Sequence, residues 1–169
     1  FDNLHSSDKR FLDTLTHTLR EEYPDLAIIA EYFTDSGTLL DTIPKWHLNL
    51  ILATPWDSRF VPQLREYLKY LHSVSESVRF FMPVSSHDSG SPAQEFGAVE
   101  STIPRYVAAA LLGTGATGIT QGVEWGVQEK INFIGKQPPL TSIPHPYFAD
   151  FLRKVNDILV AQPAFRRGK

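Results

Sequence analysis

Leu26-Ala27-Ile28-Ile29-Ala30-Glu31 decides the fold: an apolar run with no polar alternation, closed by an acid. Such a run is the form of a parallel strand buried on both faces, because a strand with one wet face would alternate. Two other stretches repeat it. Leu48-Asn-Leu-Ile-Leu-Ala53 reads as a second strand, and Val78-Arg-Phe-Phe-Met-Pro-Val84 as a third that delivers Ser85-Ser86-His87-Asp88 at its end. A fourth is expected around Ala116 to Val123.

Helical patterns fill the intervals. Ser7 to Glu22 sets Leu12, Leu15 and Leu19 on one face and stops before Pro24, which disfavours helix at Tyr23. Val61 to Val74 carries Leu64, Leu68 and Leu71 in register. Thr102 is positioned to cap a helix with Pro104 in its first turn, running through Val107 to Leu112 and closing at Gly113. Phe148, Phe151, Leu152, Val155 and Leu159 mark a last amphipathic helix. Strand alternating with helix specifies an α/β fold with parallel pairing and right-handed crossovers.

A (β/α)8 barrel spends roughly 30 residues on each strand-plus-helix unit and carries its reactive groups where strands end. Asp2, Glu31 and Asp88 fall on that scale, with about 29 positions between the first pair and about 57 between the second. The expectation is three carboxylates on one rim. A chain of 169 residues holds about five to six such units rather than eight, so the pattern specifies the C-terminal portion of a TIM barrel, about strands five to eight. Residues 1–169 read as a single partial barrel domain without linkers or low-complexity tracts. An open sheet edge is expected where strands are missing, covered by a missing N-terminal barrel half or by a homo-oligomer.

Composition narrows the partners. A net charge of -3 and a pI near 6.1 give no electrostatic reason to expect nucleic acid or an anionic membrane, so a neutral substrate fits better. With no cysteine, disulfides and thiolate metal sites are excluded. No run approaches the ~18 apolar residues of a membrane span, and no basic-then-apolar leader opens the chain. A cytoplasmic location is expected, with the first residue, Phe1, pointing to processing or to a cut from something longer.

Several motifs fail on context. Gly113-Thr-Gly115-Ala-Thr-Gly118 fits G-x-G-x-x-G, but a dinucleotide fingerprint follows a strand and opens a helix, whereas this one does the reverse. It reads as a flexible turn. Ser86, His87 and Asp88 are sequence neighbours and cannot converge as a hydrolase triad. The scattered histidines offer no zinc pair, and no calcium loop is present, so neither a metal nor another cofactor is called for. The charges from Arg65 to Lys69 read as a solvated helix face.

Retaining cleavage of a glycosidic bond needs a nucleophilic carboxylate and a proton-donating carboxylic acid about 5 to 5.5 Å apart. Adjacent parallel strands lie about 4.8 Å apart, so acids at neighbouring strand ends reach that separation. Asp2 and Glu31 meet this requirement, and Asp88 could hold sugar hydroxyls. The ordinary alternative for each acid alone is a solvated strand end or a helix cap. Tyr32, Phe33, Trp56 and Trp125 are candidate stacking surfaces for sugar faces, against the ordinary expectation that aromatic residues belong to the core.

These blocks resemble the α-amylase superfamily, the family 13 glycoside hydrolases and transglycosidases. Phe1-Asp2-Asn3-Leu4-His5-Ser6 resembles the tail of the nucleophile block, Ile29-Ala-Glu31-Tyr-Phe-Thr34 the acid/base block, and Ser86-His87-Asp88 the Asn-His-Asp block. Gly118 to Gly126 is similar to the eighth-strand segment, and Leu152 to Asn156 through Pro163-Ala164 to the closing barrel helix. The motif style is nearest to the maltosyltransferases that use maltose 1-phosphate and to the transferase part of glycogen debranching enzymes. The resemblance implies a catalytic set of Asp2 as nucleophile, Glu31 as acid/base and Asp88 as transition-state stabiliser, with His87 as a sugar-hydroxyl ligand. Beside that set, His5 is a candidate hydrogen-bond partner near the nucleophile, against the alternative of a structural histidine satisfying a loop carbonyl, and Tyr32 and Trp125 are the favoured stacking candidates because they sit next to strand-end residues. It implies an α-glucan or maltooligosaccharide substrate. Ser86 departs from the family asparagine, and the arginine two positions before the nucleophile would precede Phe1. The alternative from another class is a catalytically inactive half-barrel that binds carbohydrate or assembles with another chain.

Overall fold

The computed structural model describes residues 1–136, 145 and 147–167. Four parallel strands, β1 (Ile29–Ala30), β2 (Leu50–Leu52), β3 (Phe80–Pro83) and β4 (Ala116–Gly118), stand in chain order. Their registers are set by Ile29 opposite Leu50, Ile51 opposite Phe80 and Phe81 opposite Ala116. Helices alternate with them: α1 (Lys9–Glu22), α2 (Ser36–Lys45), α3 (Val61–Ser73), α4 (Pro92–Phe96), α5 (Thr102–Leu112), α6 (Tyr147–Ala161) and α7 (Pro163–Arg167). This is the α/β fold of a partial TIM barrel.

The chain's first residues extend the sheet at β1. Phe1 N donates to the Ile29 carbonyl at 2.7 Å, Glu31 N donates to the Phe1 carbonyl at 2.9 Å, and Leu4 N donates to the Glu31 carbonyl at 2.8 Å. That reciprocal pattern is a parallel ladder. Buried Leu4 then anchors the short 3-10 turn Leu4–Ser6 that leads to α1.

Each helix begins where local chemistry allows it. Asp8 caps α1 by accepting from Phe11 N at 2.9 Å, and the helix gives out at Tyr23 ahead of Pro24. Asp35 caps α2, accepting from Thr38 N at 3.0 Å and from the Thr38 hydroxyl at 2.6 Å, which holds its carboxyl below the usual carboxylate range. The pattern of α2 is masked in the sequence by Gly37 near its start and Pro44 inside it, although Leu39, Thr42 and Ile43 form a buried stripe. Helix α5 starts at Thr102 with Ser101 as the capping position, one residue before the expected cap.

Packing is one-sided, which corrects the expectation that the strands are buried on both faces. Ala30, Ile51, Phe80 and Met82 face the helices and join Leu71, Ala109 and Val155 in the main core. Burying each large member of that set contributes about 1.5–3 kcal/mol. The alternate residues face the other way, toward the interior side of the curved sheet; Ile29 is 41% exposed and Ile119 36%. Among the described residues no strand pairs with the outer edge of β4, so this interior is not closed over.

Two polar contacts seat the helices. Buried Trp46 donates its indole N–H to Asp13 at 2.6 Å, locking the end of α2 to α1. Tyr67 on α3 accepts from Thr54 N at 2.9 Å, tying that helix to the segment after β2, and burial pushes its hydroxyl up. The Gly113–Gly118 segment is closely packed rather than a flexible turn. A Cβ at Gly113 would stand 2.6 Å from the Ala109 carbonyl oxygen, and one at Gly115 would collide with the carbonyl oxygen of Phe80.

Gly115→Ala therefore lowers stability by about 1–3 kcal/mol through overpacking, read as a reduced urea midpoint with unchanged slope. For Tyr67 the folded value is raised, so its contribution is complete below about pH 10 and drains away as the pH climbs through that value. Tyr67→Phe flattens the alkaline limb of a stability-against-pH curve and costs about 1 kcal/mol at neutral pH. An unchanged alkaline limb would contradict this account.

Candidate active site

All four strands point their carboxyl ends to one rim, because every pairing in the sheet is parallel. An open cleft of about 560 Å³ lies along that rim and the interior sheet face. Asp2, Glu31, His87 and Asp88 line it together with Ile29, Leu52, Phe81, Ser86, Ile119 and Thr120. No Lys or Arg is among these lining residues. Three carboxylates on a largely apolar wall without such side chains disfavour anionic ligands and offer acceptors to hydroxyl donors.

Asp2 and Glu31 are brought together by the backbone. Asn3 adopts a left-handed conformation, φ 48°, which asparagine tolerates better than most side chains. The turn aims Asn3 N at Glu31, whose Oε2 accepts at 2.7 Å. The exposed Asp2 carboxylate and the half-buried Glu31 carboxylate thus project from neighbouring strand ends into the same space.

Asp88 reaches the cleft by a different route. Beyond β3 the buried Ser85 hydroxyl pairs with the Thr120 hydroxyl at 2.7 Å, fastening the ends of β3 and β4. Ser86 Oγ accepts from Asp88 N at 3.1 Å and from Ser89 N at 3.3 Å, a hydroxyl-closed turn. Serine at this position, where the resembled family has asparagine, therefore shapes the turn. His87 Nε2 lies 3.2 Å from Asp88 Oδ2, with both side chains about half exposed. Lys130 Nζ donates to the Asp88 carbonyl at 2.5 Å.

The other candidates are placed elsewhere. Tyr32 is buried, 5% exposed, with its ring 5.7 Å from that of Trp46, so it is a core residue and presents no face to the cleft. Its side chain points to the helices because successive residues of an extended chain alternate, and Glu31 takes the cleft side. His5 stands outside the cleft lining and packs on Phe33 at 5.5 Å, its Nδ1 accepting from Phe33 N at 3.4 Å. Trp125 sits half-buried in a 3-10 turn between Gly122 and Gly126, both at positive φ, and its carbonyl accepts from His145 N at 2.9 Å. It too is absent from the cleft lining. Trp56 borders a narrow gap beneath Arg105.

Arg105 fixes the rim next to β2. It donates to the carbonyls of Ser58 at 2.6 Å and Arg59 at 3.0 Å, and lies 3.6 Å over the ring of Phe96. Arg59 in turn pairs with Glu95 at 2.8 Å. Two residues at the rim escaped the sequence reading, Lys130 and Phe133, since the stretch from 127 to 136 shows no periodicity. Phe133 stacks on His87 with centroids 5.3 Å apart and planes 22° apart. Among the described residues, no three of His, Asp and Glu cluster closely enough to hold a metal ion.

No protein-family model and no curated protein matches this sequence. Its fold does match a solved structure, the acarbose-soaked crystal of the Nostoc punctiforme debranching enzyme, with a TM-score of 0.73 at 16% identity. The match covers 98% of this chain and 40% of that one, so the chain spans less than half of the enzyme whose partial barrel it shares.

Proposed function

We propose that this chain carries the reacting carboxylates of an α-glucan-active retaining glycoside hydrolase or transglycosidase. The observation that supports this most is the common cleft of Asp2, Glu31 and Asp88 at the carboxyl ends of parallel strands. The debranching enzyme that shares the fold adds support from the class of protein in which this partial barrel occurs.

In the proposed reaction an Asp2 carboxylate oxygen attacks the anomeric carbon as the glycosidic C–O bond breaks, and Glu31 delivers its proton to the departing oxygen. Water or a sugar hydroxyl then gives its proton to Glu31 while its oxygen attacks the same carbon. The bond to Asp2 breaks, and configuration is retained overall. Asp88 accepts hydrogen bonds from ring hydroxyls that strengthen as the oxocarbenium-like state forms. His87 supplies a further contact beside Asp88, while His5 and Trp125, both outside the cleft lining, contribute only from more distant parts of a bound chain.

A second reading is favoured by the open interior face with Ile29 and Ile119 exposed, and by the 40% coverage of the debranching enzyme. The chain would then be a silent half-barrel, active only with the remaining strands over that face.

Glu31→Gln should lower maltotriose turnover by about 10³-fold while sparing the first-turnover release of fluoride from α-glucosyl fluoride, whose leaving group needs no proton from the protein; steady turnover of the fluoride slows as well, because the second step has lost its base. Loss of that first-turnover fluoride release would remove Glu31 from the acid role. Sedimentation of the unaltered chain with a maltotriose assay separates the two readings: an active monomer refutes the half-barrel reading, and an inactive oligomer supports it.

A further inference from the structure

The segment after β4 does more than connect. From 127 to 136 it crosses the end of β3, and contacts along its length hold it there. The Ser91 hydroxyl donates to the Gln128 carbonyl at 2.7 Å, Lys130 Nζ reaches the Asp88 carbonyl, and Phe133 stacks on His87. A turn in which Asn132 Nδ2 donates to the Lys136 carbonyl at 2.9 Å, with Gly135 at φ 86°, closes its tip. That tip presents two large apolar side chains to water, Phe133 at 66% exposure and Ile134 at 83%.

Exposing such groups together calls for a reason, and their place supplies one. Phe133 stands against His87, which lines the carboxylate cleft, so the aromatic surface continues that cleft outward. One face of the ring is taken by the imidazole, and most of the rest of it is open. A pyranose carries C–H groups on one face and hydroxyls at its edge. It matches a flat apolar ring beside a cleft that holds carboxylate acceptors.

We propose that Phe133 is the stacking platform of an outer sugar subsite, holding the pyranose ring next to the one at Asp2, Glu31 and Asp88. The proposal rests on the α-glucan reading above and specifies where a chain longer than the reacting sugar is gripped. Ile134 forms the apolar shoulder of that subsite, and Lys130 keeps the loop seated on the β3 end.

The test is calorimetric titration of the 169-residue chain with glucose, which fills only the reacting position, and with maltoheptaose. Phe133→Ala should weaken maltoheptaose binding about fivefold to tenfold, the worth of an aromatic contact, and leave glucose binding unchanged. Phe133→Trp should restore maltoheptaose affinity and add a tryptophan emission change on saturation beyond that of the unaltered chain's three tryptophans. If Phe133→Ala fails to fold, that emission change decides the matter alone. Unchanged maltoheptaose affinity in the alanine variant, or a silent tryptophan at position 133, overturns the subsite while leaving the glucan reading in place. Failure of the unaltered chain to bind either sugar overturns both.

Discussion

Parallel pairing at the edge of β1 is the constraint on which the rest depends. The ladder from Phe1 to Glu31 fixes where the first carboxylate stands relative to the second, and the turn at Asn3 converts that register into a hydrogen bond onto Glu31 itself. Shift the ladder by one residue and the alternation of extended chain would exchange Asp2 for a neighbour of opposite facing. The site is therefore a property of backbone hydrogen bonds first and of side chains second. The same logic extends along the sheet. Parallel pairing throughout puts each strand end on the same side, and the Ser85–Thr120 hydroxyl pair joins the last two ends of the row.

Much of this was legible in the sequence, for a physical reason. Apolar runs ended by an acid, as at Ala30-Glu31, record both the buried strand and the point where it meets water. The stripes in α1, α3 and α6 record their buried faces just as directly. Helix α2 was illegible because Gly37 and Pro44 usually argue against helix, and here Asp35 capping and the buried stripe outweigh them. The strand ends were overestimated for a related reason: apolar residues such as Leu26 and Val78 flank the ladder without joining it.

The site divides along the same line. Spacing located the three acids, because repeat length is a property of chain order. It could not tell which aromatic residues face the cleft. Tyr32 follows Glu31 directly, so pleating turns it to Trp46, and no composition signal reports that choice. Phe133 was invisible for the opposite reason, lying in an aperiodic stretch whose position is set by contacts with Ser91, His87 and Asp88 far away in the chain.

Arg105 has a further consequence. Its guanidinium is held by neutral carbonyls and an aromatic ring, without an acidic partner at those contacts, and burial pulls its proton affinity down from the ordinary arginine value. Mobile ions compete poorly with dipoles met at contact distance, whereas they readily screen solvent-facing pairs such as Lys45–Asp41 and Lys69–Glu66. The Arg105 contacts beside β2 thus depend little on ionic strength, giving one shoulder of the rim a salt-tolerant mooring.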